Sequence, residues 1–239
     1  MKTSGKFAAA VAAGAMVAAS TIGLASAASA ATTTSAGAVR DMTTEKARCT
    51  AGVDARLAQL ARLNTAVTAA KHITAGHKST ESAAIADATT GLQALKTKIA
   101  GDADAATLKT DCESMVTTYR VFVLRTPQAH LVIADDAESF AIGRLGEAVP
   151  KLSDAIDKAT AAGKDTTAAK AALADVSAKL ADATSHAKGV SDAVIVLTPA
   201  DYNANHAVLA GPRDNVRTAA ADIKAAAADV KTITAALKS

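Results

Sequence analysis

Aliphatic residues recur along most of this chain in alternating steps of three and four, and the residue used most often is alanine. The pattern runs through Leu173, Val176, Leu180, Ala183, Ala187, Val190, Val194 and Leu197. It returns at Val216, Ala219, Ile223, Ala226, Val230, Ile233 and Leu237. Such spacing keeps one face apolar only on an α-helix, and a face sustained over many turns has to be covered by another helix. The expectation is an all-α protein, an elongated antiparallel helical bundle or coiled coil of about five helices. Alanine supplies 65 of the 239 residues, so local propensity and the seam point to the same state. Each buried alanine removes little apolar area from water, so such a bundle relies on length and on any covalent tie it has.

Helix one is expected from about Thr44 to Ala75, with Val53, Leu57, Leu60, Leu63, Val67 and Ile73 facing inward. Gly76 reads as its end, and Ser79-Thr80-Glu81-Ser82 as the capped start of helix two, whose seam is Ile85, Ala88, Leu92, Leu95 and Ile99. After Gly101 the spacing predicts a long central helix kinked or restarted at Pro127 and at Pro150, because proline removes a donor and clashes with the preceding turn. Its two stripes are Leu108, Cys112, Met115, Tyr119, Phe122 and then Ile142, Leu145, Val149, Leu152, Ile156, Ala159. Gly163-Lys164-Asp165 turns the chain into helix four, which runs to Leu197; Thr198-Pro199 opens helix five, bent near Gly211-Pro212. Short connections favour antiparallel neighbours. Residues 43–239 are therefore read as one bundle, with 43–126 and 127–239 as sub-bundles that share the central helix.

Residues 1–30 read as a signal peptide. Lys2 and Lys6 precede an uncharged apolar run, and Ala25-Ser26-Ala27 and Ala28-Ser29-Ala30 are small-x-small cleavage sites, the second preferred. Residues 31–42, rich in Ala, Thr, Ser and Gly, read as a flexible leader. The best later apolar stretch, Val121 to Ala134, is interrupted by Arg125, Pro127 and His130, so no membrane span is expected in the mature chain. The expected location is outside the cytoplasm, secreted or associated with the cell wall. In an oxidising compartment Cys49 and Cys112 point to a disulfide, with two buried thiols as the alternative. Idealised helices leave the two cysteines about 10–20 Å apart along the bundle axis, a gap that a later start for helix one or a longer helix two would close.

Of 26 basic and 23 acidic residues, only Lys2 and Lys6 lie within 1–30, so the remainder is close to neutral with its charges scattered. That excludes the basic stripe of a nucleic-acid binder and the polybasic patch of a membrane-surface protein. Large apolar residues concentrate in 119–142, where Tyr119, Phe122, Leu131 and Phe140 mark either a partner or ligand surface or the main core. Overlapping that stretch, Asp111-Cys112, Tyr119-Arg120-Val121, Pro127, His130 and Asp135-Asp136 resemble an element of Ala-rich secreted helical proteins of high-GC Gram-positive bacteria. The resemblance covers residues 111–136 and implies export and helicity, with no activity attached.

Catalytic constellations are missing from the sequence. His72, His77, His130, His186 and His206 include no HExxH and no i,i+4 pair, and GxSxG, a phosphate-binding glycine loop and CxxC are absent. His72, His77 and Glu81 read as a solvated turn, and His130 as a hydrogen-bonded core or boundary residue. Asp135, Asp136 and Glu138 read as a solvated face paired with Arg125 or Arg144, since consecutive helical residues point about 100° apart. The expectation is no enzyme, with no catalytic residues, cofactor or metal. The leading function is an exported structural or interaction protein of the cell envelope, partnered by an envelope protein or by itself. A carrier holding a lipid or apolar ligand between helices, and an extracytoplasmic chaperone or sensor, are the alternatives.

Overall fold

The computed structural model describes residues 27–238, with side chains from Asp41 onward. Among them no strand occurs. The helices are α1 (Ala27–Ala69), α2 (Ala75–Gly101), α3 (Ala105–Thr117), a π turn (Val121–Arg125), α4 (Thr126–Ala161), α5 (Thr167–Ala187), α6 (Val190–Ile195), α7 (Pro199–Ala204) and α8 (Ala210–Lys238). The chain divides into two units, Met1–Asp41 and Met42–Ser239. Of the first, only helical backbone is described; all packing below belongs to the second. The expected signal peptide falls mostly outside the described residues. The expected leader coincides with helical backbone from Ala27 onward.

Three apolar clusters form the core, and α4 contributes to each. Val53, Leu60, Leu63 and Val67 of α1 meet Ile85, Leu92 and Ile99 of α2 and Leu108 and Met115 of α3, with Ala129 of α4 at the edge. Ile156 of α4 joins Ala169, Ala172, Val176 and Leu180 of α5 and Ala226 and Ile233 of α8. Between these lie Leu124, Leu131 and Val132, covered by Val190 and Val194 of α6 and by Leu209. At the α5–α8 contact Ala169 and Ala172 of α5 and Ala226 of α8 are buried, and small side chains at such positions allow helix axes to approach.

The helix breaks differ from the sequence expectation, and each difference has a local cause. α1 ends at Ala69, ahead of Gly76, and α2 starts at Ala75, where the Thr74 hydroxyl accepts from His77 N–H at 3.2 Å. The expected long central helix stops at Thr117, well before Pro127. Arg120 adopts φ 44°, a left-handed conformation that costs a non-glycine residue about 1–2 kcal/mol, and the chain restarts through the π turn. Pro127 marks a restart and not a kink, because it occupies the first turn of α4, where the missing N–H has no partner to lose. Pro150 lies inside α4, which continues past it. Expected helix four is cut at Gly189 (φ 72°), so Val190 and Val194 keep their buried positions but belong to α6. Gly211-Pro212 opens α8 and bends nothing.

Cys49 and Cys112 form a disulfide with a Cα–Cα distance of 5.6 Å, tying α1 to α3. The gap left by the idealised helices closes because α1 ends six residues before Ala75 and α2 begins four residues before Ser79, together about 15 Å at 1.5 Å per residue. Nearby, Tyr119 lies over Gly91: a Cβ at position 91 would sit 2.6 Å from the Tyr119 hydroxyl oxygen. In a mid-helix position alanine ordinarily stabilises by about 0.5–1 kcal/mol relative to glycine. Gly91→Ala is expected to lose that gain and destabilise, and Gly91→Ala combined with Tyr119→Phe to recover part of it, read from urea unfolding followed by circular dichroism. Replacing both cysteines with serine is expected to lower the unfolding free energy by about 2–4 kcal/mol in the same assay.

Candidate functional site

The middle of α4 carries an unusual density of buried polar side chains. Gln128 is 0 % exposed, Asp135 4 %, Asp136 6 % and Glu138 9 %, and Glu81 of α2 faces the same region at 1 %. This overturns the expectation of a solvated acidic face. Arg144 pairs with Glu147 instead, and Arg125 donates to Gln128 at 2.9 Å. The partners of the two aspartates are elements that arrive from elsewhere in the chain.

Asp135 and Asp136 both reach the Ser191 hydroxyl, Asp136 Oδ1 at 3.3 Å, and each also receives the start of another helix. Asp135 Oδ2 accepts from the Ser191 N–H at 2.9 Å and from the Ser191 hydroxyl at 2.7 Å, so it binds the first turn of α6. Asp136 Oδ2 accepts from the Thr74 N–H at 2.7 Å, at the entry to α2. A carboxylate placed at a helix N-terminus satisfies orphan donors and meets the positive end of the helix dipole. At its other end α6 is held by Gln128, whose Nε2 lies 2.7 Å from Val194 O, 3.2 Å from Ile195 O and 3.0 Å from Leu197 O. Gln128 and Asp135 are seven residues apart, or about 10 Å along α4, which matches the six-residue length of α6. One helix face thus grips a short helix at both ends.

His77 completes the cluster. Its Nδ1 is 2.9 Å from both Asp136 oxygens and its Nε2 is 3.1 Å from Asp192 Oδ1. Burial disfavours the charged ring, but the hydrogen bonds and charges of Asp136 and Asp192 outweigh it and raise the pKa. Glu81 and Glu138 are raised as well, which for an acid favours the neutral form. Burial, opposed by Arg125 and His77, lifts Glu81 to about 7; burial reinforced by Asp135 lifts Glu138 to about 7. One oxygen of each, and Oδ1 of Asp135, is buried without a hydrogen-bond partner, which is what holds a proton on such groups. A cavity of about 410 Å³ adjoins the cluster, lined by His77, Asp135, Asp136, Lys188, Ser191 and Asp192 among others.

Chemically this is a charge-assisted clamp. The Ser191 hydroxyl donates to a carboxylate, and both nitrogens of His77 face carboxylates, so no imidazole lone pair is aimed at a nucleophile. Glu45, Cys49 and Cys112 are the one group among the described residues with metal-like spacing, but both sulfurs are consumed by the disulfide. Glu81 and His77, expected on a solvated turn, are buried and half-buried. His130, expected in the core or at its boundary, is exposed, and His72 stacks on Phe140 with ring centroids 3.9 Å apart.

The four residues expected as a partner or ligand surface are separated. Tyr119 packs into the α1–α2–α3 core and Phe140 lies against His72. Phe122, 48 % exposed, and Leu131, buried, line one groove of about 450 Å³. The chain matches no protein-family profile, no curated protein and no solved structure.

Unfolded glutamates titrate near 4.5, whereas Glu81 and Glu138 hold their protons to about 7. Between those values the folded chain binds protons that the unfolded chain has released, so stability falls as pH rises. His77 acts in the same direction, because its contacts favour the charged ring and are lost as pH rises through its raised pKa. The unfolding free energy is expected to be about 2–4 kcal/mol lower at pH 8 than at pH 5, solvent screening included. Glu81→Gln should raise stability at pH 8 and flatten this dependence. Urea titrations of both chains at the two pH values check it.

Proposed function

We propose that this chain is an exported, non-catalytic structural or interaction protein of the cell envelope. The observation that carries the reading is the use made of the polar side chains: Gln128 holds the last carbonyls of α6, while Asp135, Asp136, His77 and Ser191 are hydrogen-bonded among themselves across α2, α4 and α6. Groups held in mutual hydrogen bonds inside a bundle organise helices, whereas a general base or nucleophile has to present a lone pair to substrate. The disulfide supports an oxidising location. Among the described residues no helix is long and apolar enough to cross a membrane. The basic, apolar and small-x-small pattern of residues 1–30 supports export.

An elongated antiparallel bundle suits such a role. In support, Lys46 Nζ reaches Ala100 O at 3.0 Å, Lys96 pairs with Asp54 at 2.6 Å, and Lys78 Nζ reaches Thr68 O at 2.8 Å, a ladder whose numbers fall on α2 as they rise on α1. The likeness of residues 111–136 to secreted helical proteins of high-GC Gram-positive bacteria belongs to the same proposal.

Crosslinking of intact host cells, followed by fractionation into wall, membrane and medium, tests the reading. The expected result is recovery with the wall or membrane fraction in a discrete crosslinked species. Uniform recovery in the medium without any crosslinked species would overturn it. So would covalent labelling of Ser191 by an alkyl fluorophosphonate, a reagent that the clamped hydroxyl is expected to resist.

A further inference from the structure

Beyond a scaffold role, we propose that the groove between the π turn, α4 and the start of α8 binds an amphiphile with an aliphatic tail and one carboxylate, a fatty acid in its simplest form. The groove is lined by Phe122, Thr126, Pro127, His130, Leu131 and Arg213 and is open to solvent, with a volume of about 450 Å³, within the range of about 300–1,000 Å³ typical of small-molecule sites. Phe122, Pro127 and Leu131 offer an apolar floor.

The backbone goes out of its way to present this phenylalanine. The left-handed Arg120 directly precedes the π turn, in which Val121 and Leu124 are buried while Phe122 and Val123 are 48 % and 41 % exposed. The strained conformation is held from outside. Arg120 Nε donates to Asn203 Oδ1 at 2.6 Å, its guanidinium lies 5.4 Å from the Tyr202 ring centre, and Asn203 Nδ2 donates to Thr117 O at 3.1 Å. α7 thus braces the turn that exposes Phe122. Strain of this kind, fixed by its surroundings and next to an exposed aromatic, characterises ligand sites.

Charge selects the ligand. Arg213 is exposed and makes no ion pair and no side-chain hydrogen bond among the described residues, and the same holds for His130. Arg56 lies 5.2 Å from the centre of the Phe122 ring. No carboxylate lines the groove. One guanidinium beside an apolar floor, with no acid in the lining to neutralise it, complements one anionic head on an apolar chain. The guanidinium of Arg213 can take a carboxylate in two parallel hydrogen bonds. A polyanion is disfavoured because the basic groups are confined to this one spot.

The test is isothermal titration of the full chain with sodium laurate, with dodecanol as the neutral counterpart. One laurate per chain is expected, with dodecanol and the Arg213→Glu and Phe122→Ala variants each weaker by about tenfold or more and Arg213→Lys intermediate. Both altered positions are exposed, so circular dichroism of the variants should match the parent. Absence of laurate binding, equal affinity for laurate and dodecanol, or unchanged affinity in both variants would overturn the proposal. So would tighter binding of a short peptide ending in a leucine carboxylate, which would reassign the groove to chain termini. None of these outcomes bears on the envelope fractionation.

Discussion

Asp135 holds the first turn of α6 through the backbone and the hydroxyl of Ser191, and the middle of the bundle is organised around that contact. α6 is six residues long, too short to be helical by its own propensity in water. It persists because its first N–H groups meet a carboxylate, its last carbonyls meet the Gln128 amide, and Val190 and Val194 fall onto Leu131 and Val132 between the two. Hydrogen bonds at the ends set its position and apolar burial sets its face. The same α4 segment also receives the entry to α2 through Asp136, so two separate chain segments are referenced to three neighbouring side chains of one helix.

Concentrating carboxylates there has an electrostatic cost, and the structure meets it unevenly. Asp136 is compensated by a backbone N–H and by His77. Asp135 is half compensated: Oδ2 accepts two hydrogen bonds from Ser191, Oδ1 none, and burial keeps its pKa above the ordinary value. Glu138, beside it, is compensated least and is raised to about 7. The residues that set helix positions are therefore the ones with the most hydrogen bonds, while Glu81 and Glu138, which hold no helix end, are raised to about 7. Charge distribution in this centre is graded by how many donors each oxygen has found.

Much of this was legible in the spacing, although a reading restricted to apolar residues missed it. The stripe Ile142, Leu145, Val149, Leu152, Ile156 continues backward in steps of four and three through Glu138, Asp135, Leu131, Gln128 and Leu124. Extended four residues back from Ile85, the α2 seam reaches Glu81. Every one of these polar positions is buried, because a side chain on the seam goes where the helix face goes, whatever its chemistry. The partners were not legible. Ser191 and His77 lie 56 and 59 residues from the aspartates they meet, and no periodicity links them. The breaks at Arg120 and Gly189 were equally hidden. Glycine permits a left-handed turn without requiring one, and an arginine held there by Asn203 and Tyr202 is a tertiary effect.

The alanine seam and the polar centre answer different needs. Alanines repeated every three or four residues make nearly the same contact after a slip of one turn, so they favour helix pairing without strongly fixing its register. A polar pin has no equivalent one turn away. Displacing α6 by four residues along α4 would remove Ser191 from Asp135 and the Val194, Ile195 and Leu197 carbonyls from Gln128, leaving buried groups unpaired at about 1–3 kcal/mol each. On this argument a bundle so rich in alanine needs buried polarity somewhere to be one structure. It is placed on α4 because that helix alone contributes to all three clusters, and a register fixed there passes to the others.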